Sequence, residues 1–593
     1  MLENLLDSET ISFPHSGTEL AVHACLFNAI VNHQCYRKDI PSLARRLMDR
    51  LRANVDSNYK LLAASGLFVY IGHSGDFGLL SDVISCTQAD FHSATTSALN
   101  RAWYATRLAY SLRYADRDSS VKARMWLDTA RTIIRKNGLK HTEAQIAIFW
   151  AWSEECFGSD QDLRRELEII NQYQNPECSF EAAFRNIAQV FLSARQGNFH
   201  SAAQYAENAV ELVLNSGYSL GRDCCLIGLA VSLIESKQLD KVPKILSETK
   251  EVLIAGPIQL YLGRILRARF AQLGENKEQT RIELCRALSI GAKHRLESAL
   301  SEHLFHRTLT HLCTFALSEG IEIEYAKKII RAQRLKPPQR ELIEWPWPVR
   351  IHLLGDFSIE IDGIRLVFSG KTPKKALILL KALASSKNGQ WEIDRLGALL
   401  WPDAEGDAVR NAFHVTHLRL RKLLGRDDVV VLREGQVSLN PDLVWTDVNA
   451  FERLAEPCLD RLRTDQNSEA LEDTLNRTLS LYRGDLLKND SDTPWLIAAR
   501  DRIKSKWLRC LKAFGSHFER QQNWDQAQSI YERLLEHDNV ADEIYRRLMR
   551  CQIQAGRNAE ALRTYRRCRQ MLSNVLGITP SPKTHALFLS ISS

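Results

Sequence analysis

A chain of 593 residues is too long for one hydrophobic core and needs roughly three or four domains. Hydrophobic residues at 45% and charged residues at 25% exclude a disordered or fibrous polypeptide, and a net charge of +7 is too mild to coat nucleic acid by itself. Any contact with nucleic acid must therefore come from a local basic face.

Residues 1–335 read as helical almost throughout, with few prolines and many Ala, Leu, Arg and Glu at helical spacing. Short polar turns start at Gly75, Asp118, Gly158, Gly197, Lys237 and Gly274, recurring every 37–43 residues. Five residues after the turn stands Ala123, Leu163, Ala202 or Val242, a slot for close helix packing, and Gln279 breaks this pattern. Constant spacing of this kind means stacked helical hairpins, each burying a face on its neighbour and together forming a long groove. The segment from Gly197 to Ala209 is similar to the second helix of a tetratricopeptide repeat, and the lengthened period resembles the repeats of MalT-like bacterial regulators.

The N-terminal Met-Leu-Glu-Asn-Leu-Leu-Asp has no basic region followed by an apolar core, and no uninterrupted apolar run reaches the ~20 residues a membrane span needs. The 13 cysteines are odd in number, scattered, and form no Cys-x-x-Cys pair. A reducing cytoplasm is the expected location.

Residues 336–348 hold Pro337, Pro338, Trp345, Pro346, Trp347 and Pro348, which predict a stiff spacer or docking strap. After it the periodicity changes from helix to strand. Ile351, Leu353, Phe357, Ile359 and Ile361 lead to Asp362-Gly363, and Ile364, Leu366 and Phe368 follow, a strong hairpin signal. Thr372 and Pro373 then fit the cap and first residue of a helix running through Ala376, Leu379, Leu380 and Leu383. A second helix spans about Ile393 to Leu400, and a third runs from Asp407 to Gly425. Val429 to Leu439 closes the module as a second hairpin, the wing.

The third helix has one apolar stripe, Val409, Phe413, Leu420 and Leu424, with His417 at its margin as a packing residue. Arg410, Asn411, His414, Leu418, Arg421 and Lys422 fall opposite, with Val415 and Arg419 along one edge, and no acid occurs between Ala408 and Gly425. A helix of this width fits a major groove, where Arg forks to guanine, Asn pairs with adenine, and Val415 or Leu418 can touch a thymine methyl. Lys422, Arg426 and the wing residue Arg433 suit phosphates. A basic face alone usually means only exposure, but here it sits in the order hairpin, helix, helix, helix, hairpin that a winged helix-turn-helix requires.

Residues 349–593 resemble bacterial regulators that join an OmpR-type winged helix to a bacterial transcriptional activation domain, as in the Streptomyces antibiotic regulatory protein family. The resemblance is carried by Leu354-Gly-Asp-Phe357, Leu400-Trp-Pro-Asp-Ala404, Leu418-Arg-Leu-Arg-Lys-Leu-Leu-Gly425, Thr446-Asp-Val-Asn-Ala-Phe451, Leu481-Tyr-Arg-Gly-Asp-Leu-Leu487 and Leu576-Gly-Ile-Thr-Pro-Ser-Pro-Lys-Thr584. It implies sequence-specific binding to double-stranded promoter DNA, often at direct repeats, contact with RNA polymerase, and room for a homodimer on DNA. It also implies a polymerase-facing loop, here Trp401, Asp403, Glu405 and Asp407, although Trp401-Pro402 reads equally well as a packed corner. His417 stands where members of the family usually place a Leu, which puts the register of base contacts in question.

From Asp447 onward helical spacing returns, and Ala527 and Tyr531 recur as Ala561 and Tyr565 at the tetratricopeptide period. Trp495, Trp507, Trp524, Tyr531, Tyr545 and Tyr565 read as core of this last region. The expected fold is thus mainly α. It comprises a tetratricopeptide-like solenoid (1–335), the linker (336–348), a central α+β winged helix (349–446) and a helical activation domain (447–593).

No catalytic constellation competes with this reading, so no enzyme, cofactor or metal is expected. Gly370-Lys371-Thr372 is not a phosphate loop, because Arg365 occupies the place of its upstream Gly. His303, His306, His311 and Cys313 lack metal-ligand spacing and read as surface histidines on a repeat helix. The leading function is a DNA-binding transcriptional activator whose repeats form an arm for a protein or small-molecule effector. The alternative is a tetratricopeptide scaffold or adaptor with a degenerate winged helix used for docking.

Overall fold

The computed structural model describes residues 15–592 except 36, 114, 116, 176, 215, 250–255, 369–372, 388, 403–406 and 464–468. The chain divides into two compact units, Met1–Pro338 and Gln339–Ser593.

The first unit is built from helical hairpins. The first four pair α1 (Ser16–His33) with α2 (Ile40–Leu51), α3 (Ser57–Ser74) with α4 (Gly78–Phe91), α5 (Ala98–Leu112) with α6 (Arg117–Lys136), and α7 (Glu143–Phe157) with α8 (Asp160–Tyr173). The next four pair α9 (Ser179–Arg195) with α10 (Phe199–Leu214), α11 (Ser219–Glu235) with α12 (Val242–Glu248), α13 (Pro257–Leu273) with α14 (Lys277–His294), and α15 (His303–Glu319) with α16 (Ile323–Gln333). Ala123, Leu163, Ala202 and Val242 are all buried in the slots their spacing marked. In the hairpin where Gln279 breaks the pattern, Gln279 is exposed and the next residue, Thr280, is buried.

The two helices of a hairpin differ in kind. Helix α2 buries a single stripe, Ile40, Leu43, Ala44, Leu47, Met48 and Leu51, as expected of an outer helix. Helix α3 buries every residue from Ala63 to Gly72, so it is covered on all sides. That covering comes from within the unit: α11 packs on α1, and α13 packs on α3. Ser219 Oγ donates to the His33 carbonyl at 2.7 Å, Cys35 Sγ donates to Asp223 at 3.2 Å, and Gly256 lies directly against the Ser74 backbone. The repeats therefore curl until early and late hairpins meet, and the open groove expected from the spacing becomes an interior.

His303, His306 and His311 correct the expectation of surface histidines. All three are half-buried, and the His303 ring bonds the Glu155 carbonyl. Burial pushes the affinity of each for protons down, that of His306 to about 3. The closing of the solenoid covers what a lone helix would leave exposed.

The second unit starts with two short sheets. Strands β1 (Val349–His352), β2 (Ser358–Ile361) and β3 (Ile364–Arg365) lead to helix α17 (Lys374–Ser385), strand β4 (Gln390–Glu392), helix α18 (Ile393–Leu400) and helix α19 (Asp407–Leu424). Strands β5 (Val430–Arg433), β6 (Gln436–Leu439) and β7 (Val444–Thr446) follow. One sheet has the order β3-β2-β1-β7, with β7 parallel to β1, and the other has the order β4-β6-β5. The first hairpin turns at Asp362 and Gly363, both at positive φ, which the Asp-Gly pair tolerates. Strands β4 and β7 were not anticipated: each is only three residues long and is held by pairing with a distant partner. Thr372, expected as a helix cap, lies outside the described residues, and Pro373 occupies the cap position of α17.

Helices α20 (Asp447–Arg463), α21 (Glu469–Leu481), α22 (Pro494–Arg520), α23 (Trp524–His537), α24 (Asp542–Gln554), α25 (Asn558–Leu576) and α26 (Pro582–Ser592) complete the unit. Trp507, Tyr531, Tyr545 and Tyr565 are buried in it, while Trp495 and Trp524 are half-buried. The winged helix is bolted to these helices. Lys381 Nζ reaches Asp490 at 2.6 Å, Arg502 donates to the Ser385 carbonyl at 2.6 Å, and Leu487 N–H donates to the Leu353 carbonyl at 2.8 Å. The Pro/Trp segment does not behave as a free spacer. Trp345 and Trp347 are buried, Trp347 Nε1 donates to the Leu342 carbonyl at 2.7 Å, and Arg350 donates to the Trp345 carbonyl at 2.6 Å.

Candidate nucleic-acid interface

Helix α19 is seated by the stripe its sequence marks. Val409, Phe413, Leu420 and Leu424 are buried against α17 and α18. The approach of α18 depends on Gly397, where an added Cβ would overlap the Val409 side chain. His417 is buried too, with its ring parallel to Phe413 at 6.1 Å between centroids. Burial and the neighbouring Arg421 charge hold its proton affinity below the usual histidine range. It packs, and does not project.

With that side fixed, the opposite side must face solvent. Arg410, Asn411, His414, Val415, Leu418, Arg419 and Lys422 are all exposed along the same helix. Val415 at 50% and Leu418 at 64% exposure place two apolar side chains among these polar and basic ones. On the wing, Arg433 is exposed beside the turn formed by Glu434 and Gly435. Among the described residues no ion pair is formed by Arg419, Lys422 or Arg433.

Arg421 departs from the rest. It is half-buried, with side-chain exposure of 30%, and its Nη2 lies 2.7 Å from Asp427 Oδ1. Arg410 Nε sits a looser 4.0 Å from Asp394, with both side chains well exposed. Arg426 is shared between Asp362 at 3.8 Å and Asp428 at 3.6 Å. Sequence reasoning missed these carboxylates as competitors for the cations. Asp427 and Asp428 follow the helix directly and could have been flagged, whereas Asp394 reaches Arg410 only because α18 packs across α19.

The loop between α18 and α19 is described only at its ends. Trp401 is half-buried with Lys375 Nζ 5.1 Å above its ring, the packed-corner arrangement, and Asp407 is exposed at the first turn of α19. Asp403 and Glu405 lie outside the described residues, as does Gly370-Lys371-Thr372. Among the described residues no group of three or more His, Cys, Asp or Glu side chains could hold a metal ion, and no helix is long and apolar enough to cross a membrane.

Residues 446–592 match the bacterial transcriptional activator domain. No curated protein matches the chain. Among solved structures, Mycobacterium tuberculosis EmbR in complex with a low-affinity phosphopeptide is 22% identical, with a TM-score of 0.34 over 42% of this chain; the chain spans 65% of that protein's length. The human IFIT1 dimer with m7Gppp-AAAA is 10% identical, with a TM-score of 0.26, over 97% of this chain and 100% of that one. By residues 446–592 the chain is thus similar to the bacterial transcriptional activator domain, which its sequence words from Thr446 onward also resemble.

Proposed function

We propose that the chain is a sequence-specific DNA-binding transcription regulator that activates through contact with RNA polymerase, with the first unit as its effector arm. One observation carries the reading: the exposed side of α19 joins Arg410, Asn411, Arg419 and Lys422 with the apolar Val415 and Leu418. Cations on such a face neutralise phosphates, while Asn and Arg side chains read base edges and apolar groups meet thymine methyls. Arg421 joins them by exchanging Asp427 for DNA, and Arg433 on the wing supplies a further phosphate contact. The adaptor alternative draws on the exposure of Val415 and Leu418, but it gives the surrounding cations no role.

A mobility-shift experiment with residues 339–593, which form one compact unit, separates the two. The five cations Arg410, Arg419, Arg421, Lys422 and Arg433 give a salt slope of about −4.5, or roughly 500-fold weaker binding between 50 and 200 mM salt. Retention on duplex DNA that ignores salt, or no retention at 50 mM, would favour the adaptor.

A further inference from the structure

The curled solenoid encloses a cavity that no part of the DNA-binding reading uses. Its interior space is about 90 Å³, and about 710 Å³ when the gaps between its walls and its open side are counted. The inner helices of successive hairpins supply its walls, so residues as distant in sequence as His73 and Glu302 face the same space. Most of the lining is apolar or aromatic.

Its polar groups are few and nearly balanced. The Arg113 guanidinium lies over the rings of Tyr110 at 4.3 Å and Trp152 at 4.9 Å, with Glu302 at 3.8 Å as its counter-charge. The Tyr110 hydroxyl and His73 Nε2 share a hydrogen bond of 2.6 Å, and burial with the Arg113 charge lowers the His73 affinity for protons to about 3, so the ring is neutral. Burial pushes the Cys224 thiol up to about 12, which removes it as a nucleophile. The lining thus carries no net charge to attract an ion. Gln259 is different: its side chain is buried, lines the cavity, and its Oε1 has no hydrogen-bond partner. A buried amide oxygen left without a donor is costly, and a native fold rarely retains one that nothing meets.

We propose that this cavity binds one uncharged, largely aromatic small molecule that presents a hydrogen-bond donor to Gln259. Aromatic rings would stack among Tyr110, Trp152 and their apolar neighbours, and an N–H or O–H group would supply the bond that Gln259 lacks. The proposal deepens the effector role of the first unit. DNA affinity measured on the same samples is an independent readout, so its failure would leave the DNA reading untouched.

The test uses the full chain and N-phenyl-1-naphthylamine, a neutral two-ring fluorophore with one N–H donor. Saturable binding of one probe per chain is expected. Gly228 lines the cavity, and a Cβ there would meet only Ile187 at an ordinary 3.6 Å, so Gly228→Leu should fold and fill the space. It should weaken binding at least tenfold. Gln259→Leu, close in volume, should weaken it three- to tenfold, while the N-methylated probe, which has no donor, should bind wild type and Gln259→Leu alike. If Gly228→Leu fails to fold by circular dichroism, the Gln259→Leu pair of probes carries the test. The anionic 1-anilinonaphthalene-8-sulfonate should bind at least tenfold more weakly than the neutral probe. Non-saturable binding, equal affinity of Gln259→Leu and wild type for the N–H probe, or equal affinity of the two fluorophores would overturn the proposal.

Discussion

Asp427 offers the sharpest handle on the proposed interface. Its carboxylate is 84% exposed, lies 2.7 Å from Arg421 Nη2, and must give way if Arg421 is to reach DNA. An exposed pair of this kind stabilises the protein by only about 0–1 kcal/mol, so Asp427→Asn should leave the fold intact. The free energy of breaking the pair on binding disappears with it, which strengthens DNA affinity up to about fivefold. Arg421 meets DNA in both proteins, so the salt slope should stay at about −4.5 while the affinity rises. Fluorescence anisotropy with a labelled duplex, titrated at four salt concentrations, measures both quantities on one sample. Unchanged or weaker binding, or a slope that differs between the two proteins, would mean that Arg421 is a structural residue held by Asp427 and not a DNA contact.

Other perturbations test the packing behind the site. Gly397→Ala forces a Cβ into Val409 and should shift α19 on its seat, costing about 1–3 kcal/mol in urea unfolding and weakening DNA binding as well. In the first unit, Glu235 receives Arg269 Nε at 2.8 Å and Thr308 Oγ1 at 2.7 Å while almost fully buried. Glu235→Ala should cost about 3–5 kcal/mol by stranding the buried Arg269 charge, and a native-like unfolding midpoint would show that the pair contributes little. Asp447 accepts from Leu353, Leu354 and Val448 N–H groups at 2.8–2.9 Å, yet its burial raises its pKa to about 7. The unfolded chain releases that proton near pH 4, so this group's contribution to stability falls as pH rises from about 4 to 7. Asp447→Asn should remove that fall, and identical pH profiles for the two proteins would refute the assignment.

The helical parts and the seat of α19 were legible because they depend on local periodicity. The stripe Val409, Phe413, Leu420 and Leu424 is a period-3.6 signal, and the buried repeat slots are a matter of counting. The same arithmetic placed Arg410 and Asn411 in solvent. It could not reveal that α11 meets α1, because closure of the solenoid depends on the sum of small rotations between hairpins. That closure turned a groove into a cavity and His303 into a half-buried residue. Strands β4 and β7 escaped for a related reason: three-residue segments carry no alternation, and only pairing with β6 and β1 makes them strands. Trp345 and Trp347 were misread because prolines suggested an extended strap, whereas two large aromatic side chains were better evidence of a packed segment.

Base reading by α19 is tested most directly by selection of genomic fragments by the full chain at 150 mM salt, repeated with Arg410→Ala and Asn411→Ala. Wild type should enrich one common sequence. Each substitution should relax preference at one or two base positions, with losses of about 1–3 kcal/mol at the preferred site and little change on random DNA. Fragments recovered without any common sequence, or an unchanged preference in both variants, would contradict it.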